Sequence, residues 1–221
     1  MDSPFGPDDD GFLLTDELFL IAHDEYSGKP AVSVEVLETG LAGALLGELV
    51  FARRVVIANN AVALVDPRPW REQLSDFAIG ELARKGDAYP ARAWVEYLRD
   101  GLREAVGRRL ESRGVVRREE IRSGLTRRVS ARFPGADPVW ATRPRVKLGY
   151  ALGRRGALNH RSAVLAALVH ATGMDRLFVD VYGQVAREQL AEAAGTLPMA
   201  LAKLAAGVDM AVAAIALTVR R

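Results

Sequence analysis

Hydrophobic residues recur along most of the chain at the spacing of an α-helix. The longest regular run holds five apolar side chains at intervals of four: Trp94, Leu98, Leu102, Val106 and Leu110. This spacing places them on one side of an amphipathic helix, and Gly114 is a suitable residue to end it. Leu37, Leu41, Leu45 and Leu49 predict a second core helix in which several glycines leave one side narrow enough for close packing.

Further helices are predicted from Thr15, over about 69–84, and over 163–171, 174–193 and 196–217. The apolar stretch 210–219 is about half the length needed to cross a bilayer, so we interpret it as part of a core helix. We therefore expect a mainly α fold, with one compact helical domain over residues 12–221. The acidic, proline-containing residues 1–11 should form a flexible N-terminus.

Two segments carry β patterns instead. Residues 55–57 and 62–65 are rich in β-branched side chains and predict a small β-hairpin. Apolar and basic residues alternate from Leu125 to Phe133. We interpret this stretch as one strand of a protruding basic β-hairpin with its tip at 134–138, flanked by Phe133 and Trp140.

Charge is unevenly distributed, although the net charge is only +2. Residues 1–30 hold eight acids against one lysine, whereas residues 99–155 hold sixteen basic residues against six acids. Such a block predicts a positive face that attracts anionic lipid, nucleic acid or acidic partners, unless it is simply a solvated surface. The absence of cysteine fits a cytoplasmic protein, which can also lie peripherally on the cytoplasmic face of a membrane.

Catalytic patterns are missing from the sequence. It has no cysteine nucleophile and no Gly-x-Ser-x-Gly motif, and its three histidines lack metal-ligand spacing. We therefore expect no enzyme activity, no metal and no cofactor.

The remaining candidate residues are suited to binding. Arg99 and Arg103 stand one helical turn apart, so both can contact one phosphate. Three further arginines and two aromatic residues of the predicted hairpin can contact a membrane or a partner. These are Arg127, Arg128, Arg132, Phe133 and Trp140.

Several segments resemble, in order, the Golgi phosphoprotein 3 family in its bacterial form. They are LLTDELFL at 13–20, GLAGALLGEL at 40–49, WVEYL at 94–98, LESRGVV at 110–116 and AVLAALVHA at 163–171. The resemblance implies a helical, non-catalytic adaptor with a protruding β-hairpin. It also implies a pocket for the headgroup of phosphatidylinositol 4-phosphate.

By the same resemblance, four positions correspond to the headgroup pocket of eukaryotic members. They are Ser33, Ala42, Asp100 and Arg103, and only Arg103 keeps the family's residue. Arg99 is placed to replace the arginine that Asp100 displaces.

Three functions are compatible with these features. The first is a peripheral adaptor that binds anionic lipid, with a phosphoinositide-like headgroup at Arg99 and Arg103, and one unidentified protein partner. The second is a soluble interaction module that self-associates or binds a partner through the hairpin. A winged-helix-like DNA-binding protein is the third, and it is disfavoured because the Asn, Gln and Ser residues that read bases are not clustered.

Overall fold

The computed structural model describes residues 11–59, 61–70, 72–86, 89–122, 129–154 and 156–219. Nine α-helices lie in these ranges: α1 (Leu14–Ala22), α2 (Val34–Phe51), α3 (Gln73–Lys85), α4 (Ala91–Leu98), α5 (Leu102–Ser112), α6 (Pro138–Leu152), α7 (His160–Ala171), α8 (Arg176–Glu192) and α9 (Met199–Val219). Two antiparallel pairs complete the described fold: β1 (Val55–Ala58) with β2 (Ala61–Leu64), and β3 (Glu119–Arg122) with β4 (Val129–Arg132). The predicted mainly α class with small hairpins is confirmed.

Helix α2 forms the centre of the core. It packs against α1, α4, α7 and α9, and its leucines Leu37, Leu41 and Leu45 are fully buried. A Cβ atom at Gly43 would lie only 2.5 Å from a methyl carbon of Val208. The glycines of α2 therefore allow the close approach of neighbouring helices that the sequence predicted.

Helix α9 supplies much of the surface that packs on α2, α4 and α7. Residues 199–218 are long and apolar enough to cross a membrane, and 39% of the most apolar 18-residue part of this helix is buried. Leu201, Leu204 and Val208 nevertheless point into the core. This packing agrees with the interpretation of the segment as a core helix.

The first hairpin was predicted correctly, with Val55 opposite Leu64 and Ile57 opposite Val62. The second was placed wrongly. Its strands are β3 and β4, with Glu119 opposite Arg132, and the segment predicted as its second strand is α6. The residues between the strands, 123–128, lie outside the described residues, as does the predicted flexible N-terminus up to residue 10.

Local capping explains why α6 forms. The carboxylate of Asp137 accepts hydrogen bonds from the backbone N–H groups of Val139 (2.9 Å) and Trp140 (3.3 Å), and Pro138 occupies the first helical position. Both are strong signals for a helix N-terminus. The Pro-Gly sequence at 134–135 therefore leads into a helix and is not the tip of a hairpin.

Candidate functional site

The two arginines predicted to bind a headgroup, Arg99 and Arg103, do not lie on one continuous helix. Helix α4 ends before Arg99 and α5 begins after Gly101, whose φ of 80° is in the left-handed region. Glycine adopts this conformation at little cost, whereas other residues rarely do. The predicted single helix from Trp94 to Leu110 is therefore two helices, and the two arginines have different surroundings.

Arg103 is buried, with 8% of its surface exposed. Its Nε donates to Nε2 of His23 (3.1 Å), and its Nη2 donates to the carbonyl oxygen of Ala131 (2.9 Å). The guanidinium carbon lies 5.0 Å from the ring centroid of Phe133. Arg103 thus joins α5 to the end of α1 and to β4, and its predicted contact with a headgroup stays a prediction.

His23 completes this contact in its neutral form. Its Nδ1 donates to the carbonyl oxygen of Phe19 (2.8 Å), which leaves Nε2 as the acceptor for Arg103. Burial lowers the pKa of His23 to about 3, and the charges of Arg103 and Arg145 act in the same direction, against the opposing effect of the Phe19 hydrogen bond. The ring therefore stays uncharged beside a buried cation at neutral pH.

Arg99 lies nearer the surface but is surrounded by acids. Its Nη2 is 2.9 Å from Glu35 and its Nε 3.6 Å from Asp100. Glu38, one turn beyond Glu35 on α2, accepts a hydrogen bond from the backbone N–H of Arg103 (3.3 Å), and burial raises its pKa. Carboxylates at this place repel a phosphate, so the structure does not bring Arg99 and Arg103 together as an anion site.

Phe133 is the largest discrepancy among the predicted membrane contacts. It is 1% exposed, and its ring packs against Phe19 at 5.4 Å and His23 at 6.2 Å between centroids. A Cβ atom at Gly107 would overlap the Phe133 ring, so α5 approaches closely there. The prediction that Phe133 inserts into a membrane is wrong because the side chain fixes the base of the hairpin in the core.

The hairpin arginines have mixed positions. Arg132 is half-buried at the end of β4, opposite Glu119, so its charge has an acidic neighbour across the strands. Arg127 and Arg128 lie outside the described residues, and their contact with a membrane or a partner stays a prediction.

Trp140 lies on α6 and not on a hairpin. The indole is 40% exposed, and its ring meets the edge of Phe12 at 6.0 Å. The guanidinium of Arg143 lies 5.0 Å from the Trp140 ring centroid. Trp140 is therefore partly exposed, on α6 instead of the predicted hairpin, and its contact with a membrane or a partner stays a prediction.

The sequence patterns did not predict a buried network of ion pairs. The carboxylate of Asp16 is fully buried in α1 and contacts Arg109 (3.1 Å) and Arg113 (3.2 Å) of α5. Arg109 also lies 2.9 Å from Glu72. The position of Asp16 in the first turn of α1 had indicated only a helix-dipole role, and no local pattern pointed to its partners 93 and 97 residues away.

Two arginines of α5, Arg103 and Arg109, therefore point inward, which leaves fewer cations on this helix than a DNA recognition helix usually presents. Within the ranges that the structure describes, no three His, Asp or Glu residues are arranged to hold a metal ion.

A family model for Golgi phosphoprotein 3 (GPP34) matches residues 14–215, nearly the whole chain. The chain belongs to the GPP34 family. No curated protein matches the sequence. GPP34 proteins are generally lipid- and protein-binding adaptors, and eukaryotic members are peripheral to Golgi membranes.

The four positions that the resemblance aligns with a headgroup pocket have different surroundings in this structure. Ser33 is the N-cap of α2, where its side chain accepts from the N–H of Val36, and Ala42 is fully buried. Asp100 is exposed beside Arg99. With Arg103 committed to His23 and Ala131, none of the four positions presents a cation at the surface.

Proposed function

We propose that this GPP34 protein is a non-catalytic, peripheral membrane adaptor that binds an anionic lipid surface and one protein partner. The family match over residues 14–215 carries the proposal. An adaptor requires a stably folded domain and no reactive site. The buried contacts of Arg103, Phe133 and Asp16 stabilise such a domain.

The lipid contact in this proposal is electrostatic and interfacial. A phosphoinositide pocket built on Arg99 and Arg103 would have to displace Glu35 and break the bonds of Arg103 to His23 and Ala131. A surface that attracts anionic lipid generally, without a requirement for a phosphoinositide headgroup, agrees better with these contacts.

Co-sedimentation with vesicles tests the proposal. We expect binding to phosphatidylcholine vesicles that contain phosphatidylglycerol, little binding to phosphatidylcholine alone, and no preference for phosphatidylinositol 4-phosphate at matched surface charge. Arg99→Gln should change the affinity by less than about twofold, because Arg99 is already paired with Glu35. An absence of binding to every vesicle type would overturn the proposal.

A soluble protein-interaction module is the second candidate, and the outer side of α9 favours it. Met199, Met210 and Leu217 are exposed there, and exposed apolar side chains on a regular helix suit a helical partner. Light scattering that shows self-association, combined with a failure to bind vesicles, would favour this candidate.

A further inference from the structure

The outward side of α9 carries a stripe of mainly apolar side chains. Its positions follow one another at alternating steps of four and three residues along the whole helix: Met199, Lys203, Ala206, Met210, Ala213 and Leu217. At ~100° per residue they fall within an arc of about 80°. Lys203 is half-buried and the other five are exposed. Leu204, Val208 and Ile215 lie on the opposite side of α9 and are buried in the core, so the stripe faces away from the domain.

The large side chains of this stripe are exposed to an unusual degree. Met199 is 71% exposed, Met210 49% and Leu217 68%, and the stripe runs along a helix of 21 residues, a length of ~30 Å. Contiguous apolar patches of this kind mark sites where a second surface binds. Lys203 is the single charged residue among the six. The stripe therefore predicts a partner surface that is itself elongated and mainly apolar.

The spacing of the stripe favours another α-helix as that surface. Alternating steps of four and three residues are the heptad pattern of a coiled coil, in which one side of a helix keeps facing its partner over several turns. Ala206 and Ala213 provide holes between the larger side chains, as helix packing requires. A membrane interface usually presents aromatic residues and flanking cations instead, and the stripe has no aromatic residue and one lysine.

The stripe is complementary to itself when two copies of α9 lie antiparallel. In that arrangement the twofold axis passes near the middle of the helix, and Met210 of each copy faces Ala206 of the other, a large side chain against a small one. The remaining positions pair in the same alignment, with no shift of register: Lys203 with Ala213, and Met199 with Leu217. A parallel pair would instead place the two Lys203 ammonium groups side by side, which costs free energy. Such self-complementarity is the property of a symmetric dimer interface.

We infer that this protein forms an antiparallel homodimer through the outward side of α9. The dimer goes beyond the proposed adaptor function, because it requires neither a lipid nor another protein. Two helices of this length bury an area at the low end of specific interfaces, below about 1,200 Å². The Asp209 carboxylates of the two copies also flank the stripe on the same side and repel each other. We therefore expect a dissociation constant in the micromolar range.

Sedimentation equilibrium tests the dimer. Over the micromolar concentration range, the mass of the wild-type protein should rise from 24.0 kDa towards twice that value. Met210→Glu introduces a carboxylate near the centre of the interface in both copies, so it should raise the dissociation constant at least about tenfold. Val181→Glu is the matched control, because Val181 is 72% exposed on α8, whose described contacts are mainly with α6 and α7. The control should change the dissociation constant less than about twofold.

Disulfide cross-linking tests the orientation without adding charge. The chain has no cysteine, so Met199→Cys and Leu217→Cys each provide one thiol at an exposed position. Under a mild oxidant, an equimolar mixture of the two variants should form a mixed disulfide, whereas each variant alone should stay largely uncross-linked. An affinity tag on one variant distinguishes the products by mass. A parallel dimer would instead cross-link each variant to itself.

The possible results distinguish the dimer from other uses of the stripe. A wild-type protein that stays monomeric at the highest concentration refutes the dimer, and so does a folded Met210→Glu variant that associates as the wild type does. Disulfides of each cysteine variant with itself refute the antiparallel arrangement. If the wild type is monomeric and Met210→Glu binds anionic vesicles more weakly than Val181→Glu, the stripe contacts a membrane instead. If the wild type dimerises but binds no vesicle, the dimer stands and the proposed membrane function is wrong.

Discussion

Replacing Phe133 with alanine tests whether this side chain stabilises the core or anchors the protein in a membrane. The ring is 1% exposed and is enclosed by Phe19, His23, Arg103 and Gly107. Truncation of a buried phenylalanine to alanine lowers the free energy of unfolding by about 3–5 kcal/mol. We expect a value in the upper half of this range because Arg103 also loses the aromatic face that covers it.

The corresponding change in melting temperature is large enough to measure easily. In a domain of this size each kcal/mol lowers the Tm by about 2–4 °C, so a loss of about 4–5 kcal/mol in Phe133→Ala should lower it by roughly 8–20 °C. Phe77→Ala is the control because Phe77 is 54% exposed on α3, and it should change the free energy of unfolding by no more than about 0.5 kcal/mol. Thermal unfolding followed by circular dichroism measures the Tm, and urea unfolding measures the free energy of unfolding of both variants.

Vesicle binding completes this test. Well below its melting temperature, Phe133→Ala should bind anionic vesicles as the wild-type protein does, since the ring does not reach the membrane. A variant that unfolds like the wild type but no longer binds vesicles would refute the reasoning and restore Phe133 as an inserted residue.

Three further substitutions test the interior. The pKa of His23 is about 3 in the folded protein and about 6.5 when unfolded. His23 should therefore lower the stability of the wild type by up to ~1.4 kcal/mol per pH unit as the pH falls from about 6.5 towards about 3, and His23→Gln should remove this contribution. Gly43→Ala should destabilise by about 1–3 kcal/mol through overpacking, whereas Gly80→Ala, with open space around it, should stabilise by about 0.5–1 kcal/mol. Asp16→Asn should cost about 3 kcal/mol, unlike Asp100→Asn at the surface.

Urea titrations at several pH values measure all three effects. An equal slope in the wild type and in His23→Gln would place the acid sensitivity elsewhere. A neutral Gly43→Ala would mean that the helices separate easily, and a neutral Asp16→Asn would mean that its arginines find other partners.

Sequence patterns predicted the fold well where one element carries its own signal. The leucines of α2 repeat at helical spacing and are buried, and the β-branched runs around Val55 and Val62 form the expected hairpin. In both cases periodicity or residue type alone fixes the element, whatever it packs against.

The error between residues 119 and 140 has a local cause. The alternation up to Phe133 is that of a true strand, β4, but its partner lies before it in the chain and not after it. Asp137 followed by Pro138 is a helix start that could have been recognised. With α6 assigned, the helical spacing of Val139, Val146 and Tyr150 places these three exposed side chains on one side of the helix.

The burial of Arg103 could not have been recognised in the same way. Its burial depends on His23, which lies 80 residues away, and on a carbonyl of β4. Nothing in the sequence near Arg103 indicates either contact. An arginine one turn from another is more readily interpreted as surface charge, because its long polar side chain is seldom buried without a carboxylate.

Which of the unevenly distributed charges reach the surface also depends on tertiary contacts. Two acids of the N-terminal region meet arginines of the basic block inside the described fold: Asp16 contacts Arg109 of α5, and Glu25 contacts Arg145 of α6. These pairs use cations that the sequence assigned to a broad positive face. Such pairs form only when α1 packs against α5 and α6, so no local sequence pattern shows which cations stay at the surface. If the proposed attraction to an anionic membrane exists, it should be weaker than the count of basic residues suggests and should weaken further with salt.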